Sequence, residues 1–397
     1  MAIISKFFAY NGFSYNFSEI NYFVSWVFFF IGICLVRDRI YQVSDYFFIT
    51  AFLGILVPTS VLFAYDDTRN FFPMFLLTLA LIFISLITRV RMFSFRSIPL
   101  IKQGLLVVVA ISLLMVSFLI IWYFVSGVSF NLDLFRVYEF REANAETSDF
   151  GILAYTNNWT FQIFNMALFA IALMYRRHFL AILIAIIQVY FFAASAHKSV
   201  LFFPFMIFGI WLYFRHDNSL TVIPMIFICV ITLTLATFYV FDDLLLSSLL
   251  SRRIFFVPAH LMYTYFEFFS SNQYVFWSNS ILSPLINYPY DLPPALLIGN
   301  YLNQDEMYAN AGFIASGFAH AGVIGVFLYS LLLGFILRFI NDATQDLLPL
   351  WFAVSLTAIP LRTVTLSSDL FTVMLSHGFV IVLFIILLVR SKKYARN

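Results

Sequence analysis

Residues 251–325 read SRRIFFVPAHLMYTYFEFFSSNQYVFWSNSILSPLINYPYDLPPALLIGNYLNQDEMYANAGFIASGFAHAGVIG. Two adjacent arginines lead into an aromatic run, a Pro- and Asn-rich middle follows, and the stretch closes on a helix start crowded with small residues. From Arg253 the polar residues His260, Thr264, Glu267 and Ser271 follow at steps of seven, four, three and four. At roughly 100° per residue all five share an arc of about 60° on a helical wheel. The other face carries Ile254, Val257, Leu261, Tyr265, Phe266, Phe268 and Phe269. Pro258 starts or kinks a helix rather than sitting inside one, which sets Arg253 just upstream. The pattern has two readings: an amphipathic helix lying on a membrane surface with its polar stripe in water, or the floor of an active site.

The surrounding chain decides the fold class. Of 397 residues, 62% are hydrophobic and 11% charged, with mean hydropathy +0.94. Apolar runs recur at the length of about 20 residues that a helix needs to cross a hydrocarbon core. The expectation is an all-α polytopic membrane protein, a single integral membrane domain over 1–397. About eleven spans are expected, near 20–36, 47–65, 71–88, 103–125, 159–175, 179–196, 199–214, 220–240, 311–337, 347–361 and 370–389. Cys34 and Cys229 both sit within apolar runs, so neither a disulfide nor a thiolate metal site is expected.

Fourteen of the 22 Lys and Arg fall in one set of connections, Arg338 among them. The other eight are Lys6, Arg69, Arg136, Arg141, Lys198, Arg252, Arg253 and Arg362. The richer set marks the cytoplasmic side, leaving the N-terminus outside and the C-terminus inside. Both long connections, 126–158 and 241–310, then lie outside, the second between the eighth and ninth spans. Cytoplasmic connections are short, and neither GxxxxGK[ST] nor GxGxxG occurs. Any chemistry therefore takes place outside, on a substrate that arrives already activated.

Outward cations run against the insertion bias and require another reason. Arg69 lies in DDTRN beside Asp66 and Asp67, and Arg136 and Arg141 share a loop with Glu139, Glu142, Glu146 and Asp149, so local ion pairs account for Arg69 and Arg136. Lys198, Arg252 and Arg253 have no acid adjacent in sequence. They suit an anion, a phosphate or equally a lipid headgroup, which guanidinium groups grip with two hydrogen bonds. Arg362, following the tenth span, and the loop arginines Arg136 and Arg141 join them as substrate-binding candidates, as does Tyr265 on the aromatic face. Glu267, His260 and His320 are the candidate general bases toward a hydroxyl. His320 lies in NAGFIASGFAHAGVIGVF, where Ala311, Ala315 and Ala319, and likewise Gly317, Ala321 and Gly325, recur every four residues as ridges that admit a close neighbouring helix. The aromatic residues Phe276, Trp277, Tyr288, Tyr290, Tyr301 and Tyr308, near Asn and Asp, suit stacking on sugar rings. No metal motif is present, and no metal or other cofactor is expected.

Three motifs carry a resemblance: AHKS at Ala196–Ser199, RRxFxxPAxxxxxYxEFF at Arg252–Phe269, and NAGFIASxFAxxGxxG at Asn310–Gly325. With two long outer loops, they make the chain resemble Wzy-type O-antigen (oligosaccharide repeat-unit) polymerases over most of its length. The resemblance implies a bacterial inner-membrane glycosyltransferase acting at the periplasmic face on undecaprenyl-pyrophosphate-linked oligosaccharide. It implies an architecture like that of the O-antigen ligases, membrane lipids and a separate chain-length-regulating co-polymerase as partners, and no nucleic acid. Lys198 and Arg252 or Arg253 would hold the pyrophosphate. An Arg-x10-Gly pattern of some relatives is missed by one residue between Arg141 and Gly151, so no role passes to Arg141 by that route. The alternatives are a lipid-linked oligosaccharide flippase, which needs a charged cavity threading the membrane, and an O-antigen ligase.

Overall fold

A computed structural model describes residues 1–93, 99–133, 151–216, 219–242 and 244–391. These residues form an all-helical, multi-pass membrane protein, with only two isolated β-bridges among them. Seven helices are long and apolar enough to cross a membrane, and three shorter apolar helices accompany them. The helices used below are α1 (Glu19–Leu35), α2 (Val43–Ala64), α3 (Phe72–Arg89), α4 (Gly104–Val125), α5 (153–174), α6 (His178–Ser195), α7 (Lys198–His216), α8 (Val222–Phe241), α9 (Val257–Ser271), α10 (Phe313–Thr344), α11 (Leu350–Leu366) and α12 (Phe379–Val389). The end of the bundle that carries Asp66 and α9 is termed the loop face, and the end that carries Arg37 and Arg338 the opposite face.

In a medium without water, polar side chains and irregular backbone must find partners inside the protein. Asn165 on α5 donates to Gln188 Oε1 on α6 at 2.6 Å, and Gln188 Nε2 donates to the carbonyls of Phe161 and Val200 at 3.0 and 3.1 Å. Three helices are pinned by one amide pair. The AHKS turn is as tight as its sequence suggests: α6 ends at Ser195, Ala196 is left-handed (φ 53°), and Lys198 begins α7. At the opposite face Asn341 Nδ2 donates to Ser44 Oγ (2.8 Å) and Gln42 Oε1 (3.1 Å), which ties the end of α10 to the start of α2.

Helix α10 and α3 form the central pair, with the side chain of Ile87 lying where Gly334 has no Cβ. Arg338, counted above with the loop cations, lies within α10. It is buried and paired with Asp342, which it meets at 2.7 Å through Nε, while Nη1 donates to Thr88 O at 2.8 Å. Spacing of four residues on one helix makes this pairing local.

The expected ninth span needs a larger correction. Helix α10 is interrupted at Ala321 (φ −152°, ψ 33°) and Gly322 (φ 59°, ψ −139°). A Cβ placed on Gly325 would stand 2.0 Å from the carbonyl oxygen of Gly317. In a straight helix eight residues cover about 12 Å, so 313–320 folds back onto the longer run that follows. The small-residue ridge therefore serves the two halves of one helix, which touch backbone to backbone. Gly325→Ala should cost about 3 kcal/mol through overpacking. A lower apparent melting temperature and reduced yield in detergent would register it, whereas Gly209→Ala, at a position with open space around it, should change neither.

Candidate functional site

A wide π-helical run, Ser247–Phe256, leads into α9, and Pro258 stands in the first turn of α9, where its missing N–H costs nothing. The amphipathic surface helix is not what forms. Every residue from Ala259 to Phe266 is buried, His260 and Thr264 included, because α9 packs against α10 and the ends of α2 and α3.

His260 is thereby removed as a base facing substrate. Its Nδ1 lies 3.3 Å from Arg69 Nη2, its ring packs 5.0 Å from Phe13, and Nε2 is buried without a partner. Arg69 is the hub of this cluster: Nε bonds Asp66 at 2.9 Å, Nη2 donates to Gly12 O at 2.9 Å, and the guanidinium lies 4.9 Å over the ring of Tyr263. Ser14 and Thr68 also donate to Asp66. Burial raises the Asp66 carboxyl, but these hydrogen bonds and the Arg69 charge outweigh it and leave the pKa below the usual value. The local ion pair read from DDTRN is the one present. Glu267 is exposed and accepts from Tyr301 Oη at 2.9 Å.

The arginines stand elsewhere on the loop face. Arg252 stacks 4.4 Å over Phe8 and reaches Ser248 Oγ through Nε and Nη2 at 3.4 and 3.2 Å. Arg253 is exposed. The same helical run presents Ser247, Ser251, Phe255 and Phe256 to an apolar cavity of about 1110 Å³ between α1, α2 and α8. Lys198 is half-buried. Arg362 does not follow the tenth helix but lies inside α11 and is exposed, although Ser355, Ala358 and Ile359, one and two turns away on the same side, are buried. Arg136 and Arg141 lie outside the described residues.

One hollow brings two of the candidates together. A cavity of about 260 Å³ on the loop face is lined by Tyr265, Asn279, Pro293, Pro294, Tyr308, Asn310, Ser316, His320, Ser368, Asp369 and Thr372. Tyr265 donates to Ala309 O at 3.0 Å, holding the ring against the wall. His320 Nε2 lies 3.3 Å from Asp369 Oδ2, and its Nδ1 accepts from the backbone N–H of Trp277 at 3.1 Å. Both ring nitrogens are committed, so His320 cannot itself receive a proton from substrate in this arrangement. Asp369 is the charged group of the hollow. Its Oδ2 also accepts from Tyr329 Oη at 2.5 Å, while Oδ1 accepts the N–H groups of Phe371 and Thr372 at 2.9 and 3.2 Å. Burial raises this carboxyl too, but the hydrogen bonds from His320 and Tyr329 and from a backbone N–H hold it below its ordinary pKa. The carboxylate is thus ionised, its side chain 21% exposed, in a hollow that no lysine or arginine lines among the described residues.

Asp369 escaped the sequence reading because acids were sought in the two long loops. The signal was Ser-Asp-Leu-Phe ahead of an apolar run, an N-cap pattern, and Asp369 does cap the short helix Leu370–Leu375. Of the loop aromatics picked for sugar stacking, Tyr308 lines the hollow, while Trp277 stacks on His320 instead (5.0 Å between centroids, 14° between planes). Among the described residues no cluster of three His, Cys, Asp or Glu could hold a metal.

The class these features define is a polytopic helical membrane protein with a carboxylate-bearing hollow in one face. No family model, curated protein or solved structure matches the chain.

The buried cluster makes a prediction about stability. Burial, helped by the neighbouring Arg69 charge, lowers His260 from the usual 6.5 to about 3. As pH falls below 6.5 the unfolded chain takes up a proton that the folded protein refuses. The stability contributed by His260 is therefore complete above pH 6.5 and is lost on going down toward 3, at about 1.4 kcal/mol per pH unit. Between pH 7 and pH 5 the wild type should lose about 2 kcal/mol that His260→Leu does not lose. Apparent melting temperatures of both proteins at the two pH values measure it.

Proposed function

We propose that the protein is a glycosyltransferase that polymerises undecaprenyl-pyrophosphate-linked oligosaccharide repeats into O-antigen or a similar surface polysaccharide. It works at the periplasmic face of a bacterial inner membrane. The observation that carries this reading is the ionised Asp369 in a hollow whose other lining groups, among the described residues, are hydroxyls, amides, aromatic rings and the His320 imidazole. Such a lining repels a phosphate and accepts a sugar: carboxylate and amides bond hydroxyls, and Tyr265 and Tyr308 offer ring faces. The cations stand apart from it, on the helical run beside the large apolar cavity and at Lys198 and Arg362. That separation fits a donor whose isoprenoid tail lies in apolar surroundings and whose diphosphate meets positive charge.

In the reaction, the acceptor hydroxyl oxygen bonds to the anomeric carbon of the donor glycan. The bond from that carbon to the diphosphate oxygen breaks, and polyprenyl diphosphate leaves with the electron pair. Asp369 takes the hydroxyl proton. Arg252 and Arg253, beside the apolar cavity, hold the diphosphate end of the lipid carrier. No nucleotide is consumed, since the donor is already activated.

Asp369→Asn, which keeps the shape and removes the base, should lower chain extension at least about 100-fold. Arg252→Ala should do likewise through loss of roughly 3 kcal/mol of charge stabilisation. In a strain deleted for the native gene, gels of surface glycan should show the ladder collapsing to core plus one repeat, with each variant still present in the membrane. A normal ladder from Asp369→Asn would overturn the reading. Complete loss of capped core in the deletion strain would indicate a ligase, and lipid-linked repeats retained inside a flippase.

A further inference from the structure

The break in α10 frees two carbonyls, those of Ala319 and His320, whose helical donors would have been Val323 and Ile324. Both are taken by an incoming segment: Val275 N–H donates to Ala319 O and Phe276 N–H to His320 O, each at 2.9 Å. The next N–H, of Trp277, turns to the His320 side chain. Phe276 and Trp277 both hold left-handed conformations (φ 51° and 56°), which direct three successive N–H groups at one helix end. Outside a glycine such backbone is costly and persists only where its surroundings hold it.

From Trp277 the contacts close a ring. Its indole lies flat on the imidazole of His320. Its Nε1–H donates to Tyr329 Oη at 2.7 Å, Tyr329 Oη–H donates to Asp369 Oδ2 at 2.5 Å, and Asp369 Oδ2 faces His320 Nε2 at 3.3 Å. The direction of every bond in this ring is fixed. An indole N–H can only donate, so the Tyr329 oxygen must accept from it and spend its own proton on Asp369. A backbone N–H can only donate, so Nδ1 of His320 must be bare, which leaves the ring proton on Nε2, toward Asp369. Trp277 sets both choices and does not line the hollow.

We infer that Trp277 is a positioning residue, which orients the Asp369 carboxylate by fixing the His320 tautomer with its backbone N–H and the Tyr329 hydroxyl with its indole. It also joins that carboxylate to the roof of the hollow. Asn279, Pro293, Pro294 and Ala295 wall the cavity, and the segment bearing them is anchored to α10 through residues 275–277. Docking of the roof and aiming of the carboxylate are one event. The consequence for chain extension rests on the function proposed above; the tautomer does not.

The full-length protein in lipid nanodiscs, with histidines labelled with nitrogen-15, tests the two separately. The imidazole signal that His320→Asn removes should show a protonated Nε2 and a bare Nδ1 in the wild type. In Trp277→Ala, where ring and backbone are released, that signal should move to a mixture of tautomers, and Trp277→Phe, which keeps the stack and the backbone N–H, should restore it. Glycan extension should fall about tenfold in Trp277→Phe and in Tyr329→Phe, and the double variant should be no slower than either, because both remove one bonded path. A protonated Nδ1 in the wild type, an unchanged signal in Trp277→Ala, or losses that multiply in the double variant would overturn the inference. Expected signals together with normal extension by Asp369→Asn would uphold Trp277 in its structural role and overturn the polymerase reading instead.

Discussion

A carbonyl released inside a membrane protein has no water to turn to, and each one left alone costs several kcal/mol. That constraint governs the loop face. The interruption of α10 at Ala321 and Gly322 is tolerated because Val275 and Phe276 supply the missing donors. Once they do, Trp277 is brought over His320, Tyr329 is engaged from above, and Asp369 receives donors from three elements: α10, the loop segment by way of Tyr329, and the turn that it caps. The hollow is the space left between the folded-back half of α10 and the segment that repairs it. Broken helices line binding sites in many membrane proteins for this reason: irregular backbone survives at depth only against protein or a polar cavity.

Charges in the bundle obey the same accounting of partners. Arg338 with Asp342 and Arg69 with Asp66 are pairs in which a second acceptor satisfies the guanidinium, Thr88 O in one case and Gly12 O in the other. Removing one member of such a pair is far more damaging than removing both, since the survivor stays buried and charged. Arg362 differs. No carboxylate meets it among the described residues, and it is exposed although its neighbours on α11 are buried.

The helical, membrane-crossing character was legible in composition and run length, as were the tight AHKS turn, the helix start at Pro258 and the pairing of Arg69 with its neighbouring acids. All of these are local: they depend on residues within a few positions of one another. What escaped was set by distant partners. The stripe from Arg253 to Ser271 has helical period, but periodicity cannot say whether the polar side meets water or another part of the protein; here Arg69, nearly 200 residues earlier, captures His260. His320 lies among small residues in the sequence, but those residues do not serve a second helix, since Gly317 and Gly325 accommodate each other. Asp369 was passed over because it looks like an ordinary helix cap, and it is one; its second oxygen acquires its role from His320 and Tyr329, far off in the chain.

Helix α8 deserves to be read together with the cavity beside it. Thr234 is its one buried residue, joined to Ser247 and Ser251 by hydrogen bonds of 3.0 and 2.9 Å, and Ser219, just before the helix, bridges to Arg39 at the opposite face. Between those two fastenings α8 touches the bundle through Phe227, which packs 5.4 Å from Phe255, with the apolar cavity beside it. In a bilayer, acyl chains press on its exposed flanks, so lateral pressure as well as side-chain contact sets how far it stands from α1 and α2. The width of that chamber is consequently a joint property of protein and lipid, and replacing the bilayer by a detergent micelle exchanges one of its walls.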